Sequence, residues 1–400
     1  MAKHWAVELG EKIIARRGND HVVSIGVSPS GPIHVGFLRE IVIGDVIRRT
    51  LSQMGANAKL VLTSDDMDPL RHVYPFLPKS YSENVGQPLC RIPDPEGCCP
   101  SYAEHFIRPL EKAFVRLGVE IEVRRSSEKY DAGLFTDTVK QSLEKRQRIV
   151  DIIREESGRE LGEDWTTYNA ICSTCGRLTT TTVQECDVAN HRIRYQCQNG
   201  HEGWADYSKA EGKLPWRIDW AARWHVYGVT VEPFGKDHAG AGGSYDTGSR
   251  FSREIFDSEP PEPIPYEWIE LRGLGPMSSS KGVVITITDI LEAVPAQLMR
   301  YLLVRTRASK HITFDPCVGL LQLWDEYEKI AQAIQTGDEA AVTEIDRANY
   351  DYSLVPDAEN PATLGISFKH LATAVQLAGD SESVLRESLL RSGYRQQCEN

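Results

Sequence analysis

The stretch "VSIGVSPSGPIHVGFLRE", residues 23–40, decides the fold. It opens with β-branched residues typical of a buried strand, breaks at "PSGP" (29–32), and continues with apolar residues at helical spacing. Apolar residues 57–63 predict a second strand, and strand–helix–strand order indicates a parallel pair with a right-handed crossover. The turn after the first strand would present free N–H groups and the positive end of a helix dipole, which predicts an anion site.

The composition is that of an ordinary globular protein. The 400 residues, 41% hydrophobic and 26% charged, suffice for roughly two to four domains. No apolar run approaches the ~18 residues that span a bilayer, and the N-terminal residues lack the pattern of a secretory signal. Nine cysteines, an odd number in a long chain, argue against a disulfide framework. We therefore expect a cytoplasmic protein with no membrane partner.

The charge of the chain leaves a nucleic-acid partner open. The net charge of −12 speaks against such a partner when taken alone, because phosphate binding requires Lys and Arg. Basic segments nevertheless occur at residues 124–129, 145–148 and 300–310. Each of these segments is equally typical of a solvated helix face.

Hydrophobic periodicity divides the chain into an α/β region and a helical region. The α/β pattern, with a long helix predicted over 131–157, runs to about residue 288. It is interrupted by an insertion around 69–110 and by a Thr-rich, Cys-bearing segment at 165–208. Only helical pattern follows, with helices predicted at 296–309, 318–336, 365–378 and 382–392. The expected fold class is α/β, a Rossmann-type parallel sheet with an inserted module, followed by an all-α C-terminal region.

Two groups of residues have the chemistry of metal ligands. The first has zinc-knuckle spacing and consists of Cys172, Cys175, Cys197 and His201. Four such ligands joined by short strands describe a zinc ribbon, and they leave no open coordination position, which indicates a structural metal. A redox Cys-x-x-Cys would leave the second pair unexplained. The other group is irregularly spaced and consists of Asp94, Cys98, Cys99 and His105.

A second turn-rich segment, "GLGPMSSSKGVVIT" (273–286), follows apolar residues 265–271. A flexible loop that carries Lys281 and several hydroxyls can close over a triphosphate and neutralise its charge. Taken alone, the same segment is typical of a polar surface loop.

Together, these segments resemble the paired motifs of class I aminoacyl-tRNA synthetases. "HVGF" (34–37) stands where that family has His-Ile-Gly-His, and "PMSSS" (276–280) where it has Lys-Met-Ser-Lys-Ser. "GKDHAGAGGSYDTG" (235–248) is similar to a run found in the subclass of glutamyl-, glutaminyl- and class I lysyl-tRNA synthetases. With "SDDMDPLR" (64–71), "LPWRIDWAARW" (214–224) and the two ligand groups, the set looks specifically like class I lysyl-tRNA synthetase.

The resemblance implies an enzyme that forms lysyl-adenylate from L-lysine and ATP, with Mg²⁺, and passes the lysyl group to the 3′ end of tRNA(Lys). Because the lysine carboxylate is itself the nucleophile, catalysis requires positioning and charge stabilisation. The implied catalytic residues are His34 and Lys281. The implied ATP-binding residues are Pro29, Ser30, Gly31, His34, Gly36, Asp237, His238, Met277, Ser278, Ser280 and Lys281. The implied lysine-binding residues are Gly26, Ser28, Asp65, Asp66, Trp216, Asp219, His238 and Tyr266.

Two departures from the family pattern concern the ATP site. Phe37 replaces the second histidine of the first motif, so any contact from that histidine to ATP is lost. Pro276 and Ser279 stand where the second motif has its lysines, and Lys281 is the natural substitute.

The resemblance also divides the chain into domains. These are a first catalytic half (1–164), a zinc-ribbon insertion (165–208), a second catalytic half with the mobile loop (209–288), a helical connecting domain (289–350) and the start of an incomplete α-helical anticodon-binding domain (351–400). The family has a metal site near the second ligand group, so a second Zn²⁺ is expected there. We expect a monomer.

Three other interpretations remain open. A glutamyl-type synthetase would need a cation in its amino-acid pocket, which Arg71 could supply. A small-molecule adenylyltransferase on the same fold would leave the ribbon and the helical tail without a role. A non-catalytic zinc-ribbon nucleic-acid binder would leave the nucleotide motifs unexplained.

Overall fold

The computed structural model describes residues 3–273, 275–276, 285–356, 365–395 and 398. Its strands are β1 Asp20–Val27, β2 Asn57–Ser64, β3 Glu122–Arg125, β4 Asn169–Ala170, β5 Thr181–Asp187, β6 Arg192–Cys197, β7 Glu202–Asp206, β8 Gly212–Lys213, β9 Val231–Gly235, β10 Glu262–Tyr266, β11 Ile269–Leu271, β12 Gly275–Pro276 and β13 Ile312–Phe314. Five of them form a parallel sheet in the order β10-β9-β1-β2-β3. The predicted parallel α/β fold is confirmed, and its strand order reverses between β1 and β9.

The helices cover both the sheet and the C-terminal region. They are α1 Trp5–Arg17, α2 Leu38–Gln53, α3 Tyr102–Leu117, α4 Ser126–Asp131, α5 Thr136–Glu144, α6 Arg146–Ser157, α7 Trp216–Tyr227, α8 Ser244–Glu254, α9 Ile287–Ala293, α10 Ala296–Val304, α11 Val318–Thr336, α12 Glu344–Ser353, α13 Phe368–Ala378 and α14 Glu382–Arg391. Within the described ranges, no helix is both long and apolar enough to cross a membrane.

Helix α2 is the crossover between β1 and β2 and lies closely against both strands. A Cβ atom at Gly44 would approach Leu60 Cδ1 to 2.9 Å and Ile25 Cγ2 to 3.2 Å. Any side chain at this position would push the helix away from the sheet, so glycine sets the spacing between the two layers. This spacing fixes the height at which the start of α2 meets the end of β1.

The prediction of one continuous helix over 131–157 is wrong. Two helices, α5 and α6, lie within this range and are separated at Lys145, while a first helix, α4, ends at Asp131 where the predicted helix begins. Gly133 has φ +74°, a left-handed conformation that ends the first helix. The helical period of the sequence continues across these breaks, because α5 and α6 both bury apolar residues in one core.

The segment at 165–208 forms a small module, as its short Thr-rich strands predict. Strands β5, β6 and β7 make an antiparallel sheet, and β4 pairs with β8 where the chain returns toward the five-stranded parallel sheet. The alternating burial of β6 places one face of this sheet in the core and the other in solvent.

A fully buried arginine links the helical region to helices that pack on the parallel sheet. Arg300 of α10 pairs with Asp45 of α2 at 2.7 Å and donates to the carbonyl oxygens of Leu117 and Tyr352. Because all its partners lie on α2, α3 and α12, the side chain ties four helices together.

Candidate active site

A cavity of about 550 Å³ opens at the carboxyl ends of β1 and β9, where the strand order of the sheet reverses. Open α/β sheets bind their ligands at such a crevice, and this volume is typical of a small-molecule site. The predicted site residues that line it are Gly26, Ser28, Ser30, Gly31, His34, Gly36, Asp65, Trp216, Asp237, His238 and Tyr266. The strand–turn–helix segment that decides the fold therefore also forms one wall of the cavity.

His34 is held in one orientation at the entrance to α2. Its Nδ1 accepts a hydrogen bond from the backbone N–H of Gly36 at 3.1 Å, and a short 3₁₀ turn, Val35–Phe37, follows. Since Nδ1 is an acceptor, the proton of the neutral ring lies on Nε2. Burial lowers the pKa of His34 below its ordinary value, which favours this neutral form. The ring can thus donate one hydrogen bond from Nε2.

Gly36 is required by the position of this histidine. A Cβ atom at residue 36 would lie 2.6 Å from Cε1 of His34. Any other residue would therefore displace the imidazole from the turn. The glycine of the first motif has a steric role toward the histidine two residues before it.

Residues 285–287, which follow the second motif (276–280), pair with residues 33–35 at the first motif (34–37). Val35 N donates to Ile285 O at 2.9 Å, and Ile287 N donates to Ile33 O at 3.1 Å. His34 and Thr286 therefore face each other in an antiparallel bridge. The predicted ligands Met277, Ser278, Ser280 and Lys281 lie outside the described residues, and their assignments stay predictions.

Three predicted ligands do not line the cavity: Pro29, Asp66 and Asp219. The carboxylate of Asp66 accepts from the backbone N–H of Ser127 at 2.8 Å and from its hydroxyl, and burial raises its pKa to about 6. Asp219 is fully buried and accepts from Tyr130 Oη at 2.5 Å. Both carboxylates face partners inside the protein.

Asp65 reaches the cavity but belongs to a buried network of charges. Lys213 Nζ lies 2.7 Å from Asp65, 2.9 Å from Asp68 and 3.6 Å from Asp219. Arg223 pairs with Asp65 at 2.6 Å and also with Asp219. Burial alone would raise the pKa of Asp65, but Arg223 and Lys213 hold it below its ordinary value. Three carboxyls face two cations, and burial raises the pKa of Asp68, which favours a proton on the carboxyl left over. We call this set of five residues the neutralised network.

Sequence reasoning missed three buried carboxyl groups that line the cavity: Asp68, which belongs to the neutralised network, Glu40 of α2 and Glu232 of β9. Glu40 accepts from Gly26 N at 3.0 Å and from Tyr266 Oη at 2.6 Å. Burial raises the pKa of Glu40 to about 7 and that of Glu232 to about 8. The available signal was a charged residue inside an apolar segment: Glu232 interrupts "VTVEPFG" (229–235).

Both predicted metal-ligand groups are brought together. In each group the four ligand atoms all lie within 4.8 Å of one another. Cys175 and Cys197 have their sulfur atoms 3.7 Å apart, and Cys172 Sγ lies 3.5 Å from His201 Nδ1. A tetrahedron with Zn–S bonds of about 2.3 Å and Zn–N bonds of about 2.05 Å has edges of about 3.8 and 3.6 Å. The first group therefore fits tetrahedral Zn²⁺.

The second group is tighter and more exposed. Cys98 Sγ lies 3.4 Å from both Cys99 Sγ and His105 Nδ1, and His105 Nδ1 lies 2.9 Å from Asp94 Oδ1. These distances are shorter than the edges of a zinc tetrahedron, so a metal would have to spread these ligands slightly.

Comparison of the chain with known proteins identifies its family. The family model described as tRNA synthetases class I (K) matches residues 3–355. The chain is 47% identical over 392 residues to lysine–tRNA ligase 1 of Methanosarcina acetivorans, covering 98% of this chain and 72% of that protein. It is 46% identical over 393 residues to lysine–tRNA ligase of Archaeoglobus fulgidus, covering 98% of this chain and 76% of that protein.

Proposed function

Because the chain belongs to the class I tRNA synthetases of the K type, we propose that it is a lysine–tRNA ligase. It forms lysyl-adenylate and diphosphate from L-lysine and ATP, and then transfers the lysyl group to tRNA(Lys). The observation that carries this proposal is the cavity at the sheet crossover, with His34 at its turn and the carboxyl groups Glu40 and Glu232 in its wall. ATP and lysine, which together bring a triphosphate, a carboxylate and two ammonium groups, match both parts.

His34 and the turn around it act on the phosphate chain. The Nε2 proton of His34 donates to a phosphate oxygen, while Nδ1 keeps its bond to Gly36. The free N–H groups predicted at this turn are not found, since the backbone N–H groups of residues 35–38 all donate within the protein. The backbone therefore contributes the positive end of the α2 dipole. The histidine and the dipole stabilise the charge that builds on the phosphate when the lysine carboxylate attacks and diphosphate departs. Lys281, five residues before Thr286, would add a positive charge to the same phosphates.

The amino acid lies deeper, against Gly26, Ser28, Tyr266 and Glu40. Glu40 already accepts from Gly26 N and Tyr266 Oη, and each carboxylate oxygen has a second lone pair for an α-ammonium group. An ammonium ligand restores the charge balance of a buried carboxylate, which otherwise holds a proton. We assign the α-ammonium to Glu40.

The charges of the cavity favour lysine over glutamate. Arg223 is the cation that lines the described part of the cavity, and its guanidinium is held by Asp65 and Asp219. The glutamyl-type alternative needs a free cation for the substrate carboxylate. Arg71, its candidate cation, is not among the lining residues and lies 3.9 Å from Asp68.

ATP–diphosphate exchange with each of the twenty amino acids supplied singly tests the proposal. We expect exchange with lysine alone, and a charged tRNA(Lys) product when tRNA is added. Exchange with glutamate instead would contradict the lysine assignment and leave the synthetase class standing. Lysine-dependent exchange with no transfer to any tRNA would favour the small-molecule adenylyltransferase.

The ligand groups would hold two Zn²⁺ ions, at Cys172, Cys175, Cys197 and His201, and at Asp94, Cys98, Cys99 and His105. Structural zinc contributes folding energy to small modules. We expect metal analysis of the purified protein to give two zinc ions per chain. Cys175→Ser and Cys98→Ser should each lose one. A Cys98→Ser protein with an unchanged zinc content would eliminate the second site.

The remaining expectations form part of the same proposal. Mg²⁺ enters with the phosphates of ATP, as hard oxygen ligands favour. The enzyme works as a cytoplasmic monomer, with the domain division at residues 164, 208, 288 and 350. Size-exclusion chromatography with light scattering tests the monomer, for which a mass of 44.8 kDa is expected.

A further inference from the structure

Glu232 is buried in the cavity wall with only neutral donors attached to it. Its carboxyl accepts from Trp220 Nε1 at 2.8 Å and from Trp224 Nε1. Both tryptophans lie on α7, one helical turn apart, and both line the cavity together with Phe234. The indole N–H groups fix the carboxyl in place and leave one lone pair on each oxygen.

No side chain within the described ranges forms an ion pair with Glu232. Arg223 contributes a favourable electrostatic interaction, but its guanidinium is bound by Asp65 and Asp219. A buried carboxylate without a partnered cation is costly, and a protein retains one where a ligand supplies the charge. Surrounding aromatic rings add attraction for a cation in the same place.

The depth of Glu232 fits the far end of a lysine substrate. Gly235 pairs with Tyr266 at the carboxyl edge of the sheet, and Glu232 precedes Gly235 by three residues. At about 3.3 Å per residue, the Glu232 backbone lies roughly 10 Å below that edge. Glu40, which we assign to the α-ammonium, bonds to Gly26 and Tyr266 at the edge itself.

Val23 of β1 pairs with Val231 of β9. In this parallel register, Gly26 lies level with Phe234, two residues or roughly 6.6 Å above Glu232. This separation is close to the roughly 6 Å between Cα and Nζ of an extended lysine.

We propose that Glu232, held between Trp220 and Trp224, is the specificity-determining residue that binds the ε-ammonium group of the amino acid. This inference rests on the proposed lysine-activating function and identifies the side chain that selects the substrate. Glutamate would place a second carboxylate beside Glu232, and norleucine would leave it buried without a cation.

Substitution of Glu232 by glutamine is the direct test, because glutamine keeps the shape and removes the charge. ATP–diphosphate exchange should show a lysine KM about 10²- to 10³-fold higher, the effect of truncating one partner of a buried charge pair. The KM for ATP and the rate with norleucine should stay within about threefold of the parent values. Glu262→Gln, the same change on neighbouring strand β10 outside the cavity, should leave every value unchanged.

Two outcomes separate this inference from the function on which it rests. A parent enzyme that activates an amino acid other than lysine would contradict the proposed function. A parent enzyme that activates lysine, with E232Q keeping its lysine KM within threefold, would overturn only the role of Glu232.

A second variant decides the matter if E232Q does not fold. Glu232→Asp keeps the charge but withdraws it by about one methylene, roughly 1.5 Å. We expect this variant to shift its preference toward homolysine, the analogue with one additional methylene, because the longer chain restores the contact. A purely structural residue would not change the ratio of KM values for lysine and homolysine, so an unchanged ratio would overturn the proposal.

Discussion

Two buried sets of carboxylates adjoin the same cavity and differ in how their charge is balanced. Asp65, Asp68 and Asp219 are bound by Lys213 and Arg223 in the neutralised network. Glu40 and Glu232, which we call the unpaired carboxyls, accept only from neutral N–H and O–H donors. The carboxylates of the neutralised network have cationic partners within the protein, whereas the unpaired carboxyls would gain a cationic partner from a bound ligand. The protein uses the first for stability and leaves the second for recognition.

The largest effect is expected from breaking the neutralised network. Lys213→Met keeps the length of the side chain and removes its charge, which leaves Asp65 and Asp68 short of a cation. Breaking a fully buried ion pair from one side costs about 3–5 kcal/mol. Chemical denaturation should show a loss of this size in the free energy of unfolding.

Lys140→Met is the matched control for this prediction. Lys140 is half exposed and lies 4.0 Å from Glu144, so its loss should cost under about 1 kcal/mol. If both variants lost the same amount, the network would have no special role in stability.

The opposite behaviour is expected of an unpaired carboxyl. Glu40→Gln removes a buried charge that no protein cation balances, so the free energy of unfolding should rise at pH values where Glu40 would otherwise be ionised. The KM for lysine should rise about 10- to 100-fold, because the α-ammonium loses its anion. Unlike E232Q, this variant should weaken norleucine as much as lysine, since both carry an α-ammonium. Equal discrimination by E40Q and E232Q would remove the distinction between the two carboxyls.

The fold was predictable from the sequence because its information is local. Alternating strand and helix patterns, with the turn at 29–32 between them, predict the parallel sheet and its anion-binding edge. The metal-ligand groups were recognisable for the same reason, because within each group the ligands come in pairs or clusters that are close in the sequence. The continuity of the helix at 131–157 was not predictable, because Gly133 breaks it without interrupting the apolar period.

The roles of the carboxylates depend on partners far along the chain. Asp65 looks like an ammonium ligand at the end of β2, but Lys213, which neutralises it, lies 148 residues away. In the sequence, Glu232 is a single charged residue in an apolar strand with no visible role. Its role becomes apparent only in the structure, where α7 brings Trp220 and Trp224 to it. Whether a carboxylate is free to bind a cation is decided by tertiary packing, which residue type and spacing do not encode.

The sharpest contrast should appear in the pH dependence of stability. The folded-state pKa values of Glu40, about 7, and Glu232, about 8, lie above the value of about 4.3 for an unfolded chain. The folded protein therefore binds more protons than the unfolded chain in this window, and stability should fall as pH rises from about 5 to 8. Asp65, whose folded pKa is lowered, stabilises the protein above about pH 4, and this stabilisation is lost as pH falls.

Thermal melting from pH 3 to 9 measures both slopes in one experiment. Saturating lysine should flatten the slope between pH 5 and 8, because its ammonium groups favour the ionised forms of Glu40 and Glu232. The double variant E40Q/E232Q should keep only the part of that slope below about pH 6, which Asp66 contributes, with or without lysine. Its loss of stability below about pH 4 should persist through Asp65. A double variant with the parent's slope between pH 5 and 8 would mean that other groups carry it. The two sets of carboxylates would then not differ in the way their contacts indicate.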